Sequence, residues 1–442
     1  MSNLSFLSKV IERAVAHQLG QYLDANALHH PYQSAYRSGH SVETALTRVH
    51  SDIMQALDQK QGIILVLLDL SAAFDTVDHT VLLSRLETRF GVGGSVLSWL
   101  RSYLSDRQQQ VTVAEKRSAP RALEHGVPQG SVLGPVLFSC YIAPLYDITR
   151  KQLISTHQYA DDDELYVAFR MDKTSACKSM RRMEDCVSDI KDWMCHNKLK
   201  LNDDKTDMLV ITSPRLQSRV PISSMTIGEI EVPASPIARN LGTTFDCVMN
   251  MEKHINNICS SCYYHLRNLS AIRGSLTQEA TERLVHAFIT SRLDNGNALF
   301  YALPSKLTAK LQRVQNTAAR IVTKTSRSHS ISAVLKQLHW LPVKQRIQYK
   351  ILTLTWKSLH GQAPGYIDEL LTPYVPSRTL RSASSHKLVT PKCESNYGKR
   401  AFASAAPELW NALPMPLKET DAYTTFKAKL KTYMCNIAYA IS

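Results

Sequence analysis

A mixed α+β fold is what this 442-residue sequence predicts. Gly62 to Leu68 is an unbroken apolar run, β-branched at its start, and reads as a central strand buried on both faces. The acidic stretch Tyr159-Ala160-Asp161-Asp162-Asp163 lies between two more β-type runs, Leu153-Ile154 and Leu165 to Phe169, and so reads as a hairpin tip. From Asn250 onward apolar residues recur at helical spacing over Met251 to Ile272, Thr277 to Arg292 and Ser305 to Thr323.

At the N-terminal end, Leu4 to Tyr22 is an amphipathic helix with Leu7, Val10, Ile11, Val15 and Leu19 on one face. A turn-rich connector, His29 to His40, leads to a helix from Ser41 to Leu57, with Ser41 as N-cap and Thr44 in its first turn. Asp69 stands just past the end of the central strand, and Leu70 to Asp75 opens a helix. Helices are expected at 79–90 and 95–104, a strand at 108–113, and an apolar helix at 132–146 behind the loop Gly126-Val-Pro-Gln-Gly-Ser131. A long helix from Ser175 to His196 precedes a strand at Met208 to Ile211. A hairpin is expected at 221–232 and a turn-strand unit at 240–246, and Ile331 to His360 is helical with a break at Trp340-Leu-Pro342. Gly361 to Ser385 reads as a linker, and Leu388 to Ser442 as short strands and a last helix from Tyr423.

Composition narrows the class. Apolar residues make up 44% and charged residues 20%, a globular balance, and the length suits two or three domains. The net charge of +14 favours a polyanionic partner, nucleic acid before membrane surface. No Asp or Glu occurs between Asp294 and Asp368, an interval holding eleven Lys or Arg. Within it Lys306, Lys310, Arg313, Arg320 and Lys324 fall within roughly 80° on one helix, a stripe set for phosphates or a solvated basic face. No acidic partner stands at i±4, so the solvated face would repel itself. The longest apolar run, Val132 to Tyr146, is too short to cross a bilayer and holds Gly134, Pro135 and Pro144. No signal segment opens the chain, and the nine Cys include only one ligand-spaced pair, Cys259 and Cys262. The expectation is a reduced, intracellular protein, nuclear or cytoplasmic.

The residues that carry chemistry are carboxylates. Adjacent Asp residues at a hairpin tip repel each other and invite divalent cations, unless the tip is simply a solvated turn. A carboxylate at the end of a buried strand, Asp69, is better explained as a metal ligand than by stability. Gly126 and Gly130 let the backbone around Gln129 approach a ligand closely. Lys205 is either a turn lysine or a proton donor to a leaving group, and Arg37 either a triphosphate contact or a loop residue.

Taken together, LLDLSAAFDTVDH, HGVPQGSVLGPVLF, HQYADDDELY, LNDDKTDMLVI and NLGTTFD, in this order, resemble the successive palm motifs of a reverse transcriptase of the LINE (non-LTR) type. SNLSFLSKVIERAV and QSAYRSGHSVETAL are similar to its fingers motifs. LQRVQNTAARIV, LHWLPVKQRIQYKIL, APGYIDELL and RAFASAAPELWNALP are similar to its thumb and the region beyond the thumb. The resemblance implies an α+β right-hand polymerase: partial fingers at 1–60, a palm with fingers insertions at 61–250, a helical thumb at 251–325 and a basic C-terminal extension at 326–442. It implies an RNA-directed DNA polymerase in which Asp69, Asp161 and Asp162 hold two Mg²⁺ ions, with Mn²⁺ a possible substitute. Phe74 would then wall off the sugar 2′ position, Gln129 and Gly130 would lie against the incoming deoxynucleotide with Tyr159 and Arg37 nearby, and Lys205 would protonate pyrophosphate. An RNA template, a DNA primer and their duplex are the implied partners, with the basic helix stripe on the duplex backbone. The chain starts inside the first fingers motif and carries no endonuclease segment, so the alternative expectation is an inactive remnant that only binds nucleic acid. Asp163, where relatives carry a neutral residue, is expected to point to solvent.

Overall fold

The apolar run at Gly62 forms the strand β1 (Gly62–Ser71), in which Ile63, Ile64, Leu65 and Val66 are each no more than 2% exposed. The computed structural model describes residues 4–71, 74–114, 116–202, 205–376 and 386–439. The chain divides into two units: Met1–Ser38, Ile64–Val210 and Val220–Ser235 in one, Gly39–Ile63, Ile211–Arg219 and Pro236–Ser442 in the other.

The first unit holds β1 in a sheet with β2 (Ser155–Tyr159), β3 (Asp162–Phe169), β4 (Lys200–Leu201) and β5 (Asp207–Ile211). The spatial order is β2-β3-β1-β4, with β5 also paired to β1. The β2–β3 and β1–β4 pairs are antiparallel. Pairing of Leu70 with Leu201 and Ser71 with Lys200 carries β1 past Leu68, so Asp69 lies inside the strand, not beyond its end. The helix expected to open at Leu70 begins at His79. Phe74 and Asp75 form a turn, and the Asp78 carboxylate caps the helix by accepting the N–H groups of Thr80 and Val81.

Other differences also have local causes. The apolar stretch after Ser131 is not one helix but α3 (Gly134–Ile142) and a second helix from Leu145, because Pro144 has no N–H to continue the ladder. The strand expected at 108–113 is half of a narrow hairpin. In the first helix, α1 (Phe6–Ala25), Leu7, Val10 and Ile11 are exposed, and the buried face is that of Glu12, Leu19 and Leu23. The long helix α4 (Lys173–His196) buries Met183, Val187, Ile190 and Met194 along one stripe, with Trp193 only partly covered.

The second unit is helical. In α2 (Val42–Asp58) the Ser41 and Thr44 side chains form a reciprocal capping box. The hairpin at 237–246 leads into α5 (Glu252–Ile272), then to α6 (Ser305–Thr323) and α7 (Val343–Leu359). The predicted linker contains a helical turn, Gly365–Asp368, with Tyr366 and Ile367 buried, while 377–385 fall outside the described residues. The region after Leu388 is helical where short strands were expected; its one bridge pairs Pro373 with Leu388 among the described residues. Trp356, Trp410 and Phe426 form its core.

One contact ties that last region to α2. Asp58 is buried, which raises its pKa, but hydrogen bonds from Ser395, Glu394 and Gly398 outweigh burial and hold it below the usual carboxylate range. A Cβ on Gly398 would stand 2.5 Å from Asp58 Oδ2, so Gly398→Ala must displace the carboxylate from its donors. We expect it to cost about 2 kcal/mol, read as a lower urea midpoint, because buried charged acceptors lose their partners.

Burial also sets a pH response. His254 is held neutral, its pKa lowered to about 4 by burial, with Nδ1 accepting the N–H of Thr244. The unfolded chain protonates this histidine first, near pH 6.5, so its contribution is complete above 6.5 and is lost as pH falls from there toward 4. At pH 5 the loss is about 2 kcal/mol, from about 1.4 kcal/mol per pH unit. His254→Gln should therefore flatten the pH dependence of the urea midpoint between 7 and 5; an unchanged slope would contradict a buried neutral imidazole.

Candidate active site

The hairpin tip is a two-residue turn, since Tyr159 pairs directly with Asp162. Ala160 sits at φ +61, a left-handed backbone that a residue with a side chain adopts only when its surroundings enforce it. The enforcing contact comes from the connector ahead of α2. Ser34 N–H donates to Gln158 O and Gln158 N–H to Tyr32 O, so this segment lies along β2. Gln33 Oε1 then accepts the N–H groups of Ala35 and Ala160, at 2.9 and 3.2 Å.

This places the acidic residues with distinct roles. β3 neighbours β1 in the sheet, so Asp161 and Asp162 stand near Asp69. Asp161 is half-buried; burial and then the Asp69 charge raise its pKa, partly offset by Lys205. Asp162 is raised to about 6 by desolvation, then by the charges of Asp161 and Asp69. Asp163 does not point to solvent as expected. It is 3% exposed opposite Gln158, and burial pushes its pKa up to about 7. Residues 163 to 167 are all buried, so both faces of β3 are covered there and neither offers Asp163 a way to solvent. Asp163 belongs to the layer behind the turn, not to the acidic face.

Asp69 Oδ2 takes the Lys205 ammonium at 3.1 Å and the Asn202 amide at 3.2 Å. Lys205 is mostly exposed and supplies the cationic charge felt by Asp161 and Asp162. Among the described residues no three His, Cys, Asp or Glu side chains are gathered closely enough to hold a metal ion as placed. The donor chemistry nevertheless suits a hard cation: carboxylate oxygens whose mutual repulsion a divalent charge would relieve.

The glycine-rich loop lies against the segment after β1. Gly126 N–H donates to Val77 O and Val127 N–H to Phe74 O, both at 2.8 Å. A Cβ at Gly126, where φ is +87, would meet Asp75 O at 2.8 Å, so only glycine permits this approach. The exposed Gln129 amide reaches the Asp75 carboxylate at 3.4 Å, and Gly130 beside it is exposed at φ +96. Phe74 stacks on Phe138 of α3 with centroids 4.8 Å apart. Phe74 and Gln129 are thus drawn to one place by contacts local to the loop.

Three residues of this region escaped the sequence reading. Gln33 fixes the turn. Tyr36, at φ +61 and half-exposed, has its pKa raised by burial and by the charges of Asp161 and Tyr159, so it faces the acidic turn. Glu12 is 1% exposed; its Oε2 accepts the N–H groups of Val132 and Leu133 at 2.6 and 3.2 Å, just ahead of α3. A carboxylate at those N–H groups steadies the loop that carries Gln129. The sequence did hold a signal for it, since position 12 lies within about 20° of Leu19 and Leu23 on a helix. Glu12→Ala should cost about 3 kcal/mol by stranding two buried N–H groups, and Glu12→Gln, which keeps an acceptor, less than half of that in denaturant melts. Arg37 differs from a free triphosphate contact: its Nη1 donates to the carbonyls of His30 and Gln33, bracing the connector.

In the second unit the basic stripe is only partly open. Lys310 pairs with Glu252 of α5 at 3.2 Å, so it does find an acidic partner, on a neighbouring helix. Arg320 donates to the carbonyls of Ser326 and His329. Lys306, Arg313 and Lys324 remain exposed. Between α5 and α6 runs a groove of about 1230 Å³ whose lining includes Tyr263, Arg267, Arg273, Arg313, Arg320, Lys324 and Arg327 and no acid.

Comparison with known proteins gives an independent reading. The profile of the family described as "Reverse transcriptase (RNA-dependent DNA polymerase)" matches residues 1–245. A probable RNA-directed DNA polymerase from transposon BS of Drosophila melanogaster is 29% identical over 73% of this chain and 36% of its own length. One from transposon X-element of the same organism is 27% identical over 73% and 35%, and the RNA-directed DNA polymerase from mobile element jockey 26% identical over 58% and 28%. The chain therefore spans about a third of the length of these relatives. Telomerase from Candida tropicalis, solved with a TWJ fragment of telomeric RNA, aligns over 99% of this chain and 57% of its own at 11% identity. Its TM-score of 0.45 makes that likeness too loose to bear on the site.

Proposed function

This chain belongs to the reverse transcriptase (RNA-dependent DNA polymerase) family, of the LINE type, and from that premise we propose that it adds deoxynucleotides to a DNA primer on an RNA template. Its fold class is the α+β right-hand polymerase that the motifs imply. We read 1–60 as fingers, 61–250 as palm, 251–325 as thumb and 326–442 as a basic extension. The observation that carries the activity is the meeting of Asp161 and Asp162 with Asp69, where burial and then the charge of neighbouring carboxylates raise both turn carboxylates.

In this reading Asp69, Asp161 and Asp162 hold divalent cations, magnesium or manganese. When bound, such ions offset charge on the attacking 3′-hydroxyl and the leaving pyrophosphate. The chain's own residues do the rest. Gln33 keeps the acidic turn in its left-handed form. Gln129 and Gly130 receive the incoming nucleotide, with Tyr159 beside the turn. Phe74, braced by Phe138, closes the space at the sugar 2′ carbon. Lys205, released from Asp69, donates a proton to pyrophosphate. We assign Arg37 to holding the connector in place. Lys306, Arg313 and Lys324 hold duplex phosphates without reading sequence, with Lys310 and Arg320 shaping that face. No described helix is long and apolar enough to cross a membrane, and we place the work in the nucleus or cytoplasm.

A DNA primer annealed to an RNA template tests the reading. Wild-type chain with deoxynucleotides and Mg²⁺ should extend the primer, and excess chelator should stop it. The binding-only alternative predicts salt-sensitive duplex binding without extension.

A further inference from the structure

Between Arg107 and Leu123 the chain forms a ribbon that the site does not use. Gln108 pairs with Ala122 and Gln109 with Arg121; further out, Thr112 pairs with Arg117 and Val113 with Lys116. Val111 and Ser118 join the two ladders, Ser118 Oγ accepting the Val111 N–H and Ser118 N–H donating to Val111 O. From Arg107 to Ala114 the ribbon reaches about 23 Å, at about 3.3 Å per residue.

Every described residue from 108 to 122 is exposed, including Val111 at 66% and Val113 at 69%. A two-stranded ribbon with neither face covered is only marginally stable in water. Its cations say what covers it. Arg107 at the base is engaged by Tyr103, through its ring at 4.8 Å and its carbonyl. Lys116, Arg117 and Arg121 make no ion pair among the described residues, and the one acid of the stretch, Glu115, lies outside them. Neighbouring strand residues project to opposite faces, so Lys116 and Arg117 put positive charge on both sides of the ribbon. A membrane or an acidic protein surface would engage one face. Phosphate rows flanking a groove engage both, and the Gln108 and Gln109 amides suit ribose hydroxyls there.

We propose that this ribbon is an arm that lies in a groove of an RNA-containing duplex, with Lys116, Arg117 and Arg121 on the phosphates to either side. The proposal rests on the reading of the chain as an RNA-templated polymerase. The 442-residue chain is titrated with a labelled RNA/DNA hybrid duplex and with single-stranded RNA, without deoxynucleotides, across a salt series. The K116A/R117A/R121A variant should melt like wild type, since all three side chains are exposed. It should bind the hybrid at least roughly tenfold more weakly, and its slope of log affinity against log salt should be smaller by about 2 to 3, near 0.9 per lost contact. A variant that binds the hybrid as wild type does overturns the arm alone and leaves primer extension untouched. A loss confined to single-stranded RNA overturns the groove arrangement. A wild-type chain that binds no duplex overturns the arm together with the polymerase reading.

Discussion

Asp161→Ala is expected to abolish primer extension, with a rate loss of at least roughly 10³-fold, about 4 kcal/mol in the barrier. The turn holds its shape through backbone contacts: Gln33 Oε1 on the Ala160 N–H and the Tyr159–Asp162 pair. Neither needs the Asp161 side chain. Removing it also relieves Asp162, whose pKa is raised by burial and then by Asp161. The variant should therefore fold at least as well as wild type and bind the RNA/DNA duplex with unchanged affinity. Rate and stability move in opposite directions, which separates a carboxylate kept for chemistry from one kept for the fold. A variant that extends primers within tenfold of wild type would remove Asp161 from the reaction.

Phe74→Ala is expected to have the second largest effect, on the choice of sugar. The ring is held by Phe138 at 4.8 Å and by the Val127 N–H on its own carbonyl, so it has little freedom to yield. In the proposed reading a ribose hydroxyl would meet that edge and be excluded by contact. Truncation should raise ribonucleotide use relative to deoxynucleotide use by roughly 100-fold, about 2.7 kcal/mol of lost discrimination. Phe74→Ala also removes core packing, so Phe74→Val serves beside it and should show an intermediate gain. Equal discrimination in both variants and wild type would mean that the ring serves the Phe138 contact alone.

What the sequence made legible was local. The apolar run before Asp69, the paired carboxylates between two β-type runs, and the Ser41–Thr44 cap all depend on residues a few positions apart, and each stands where its pattern put it. Strand length was misjudged because Leu70 and Ser71 are ordered by Leu201 and Lys200, far along the chain. The same distance hid Gln33, which acts on Ala160 across 127 positions, and Glu12, which acts on Val132 across 120. Asp163 was misplaced because alternation tells which face a residue takes but not whether that face is covered. The basic helix was read as free of acids because only its own positions were compared, while Glu252 comes from another helix. Gly126 reads from the sequence as room for a ligand, whereas the group that comes close to it is the chain's own Asp75 O, again a contact between segments far apart in the chain.

Templated addition at the Asp69, Asp161 and Asp162 site is tested most directly by single-nucleotide incorporation. Four RNA templates differing only in the first unpaired base are annealed to one DNA primer and offered each deoxynucleotide separately with Mg²⁺. The account predicts addition of the complementary deoxynucleotide on each template, and none on any template with Asp161→Ala. Absence of addition by wild type on all four, or addition of the same nucleotide whatever the template base, would contradict it.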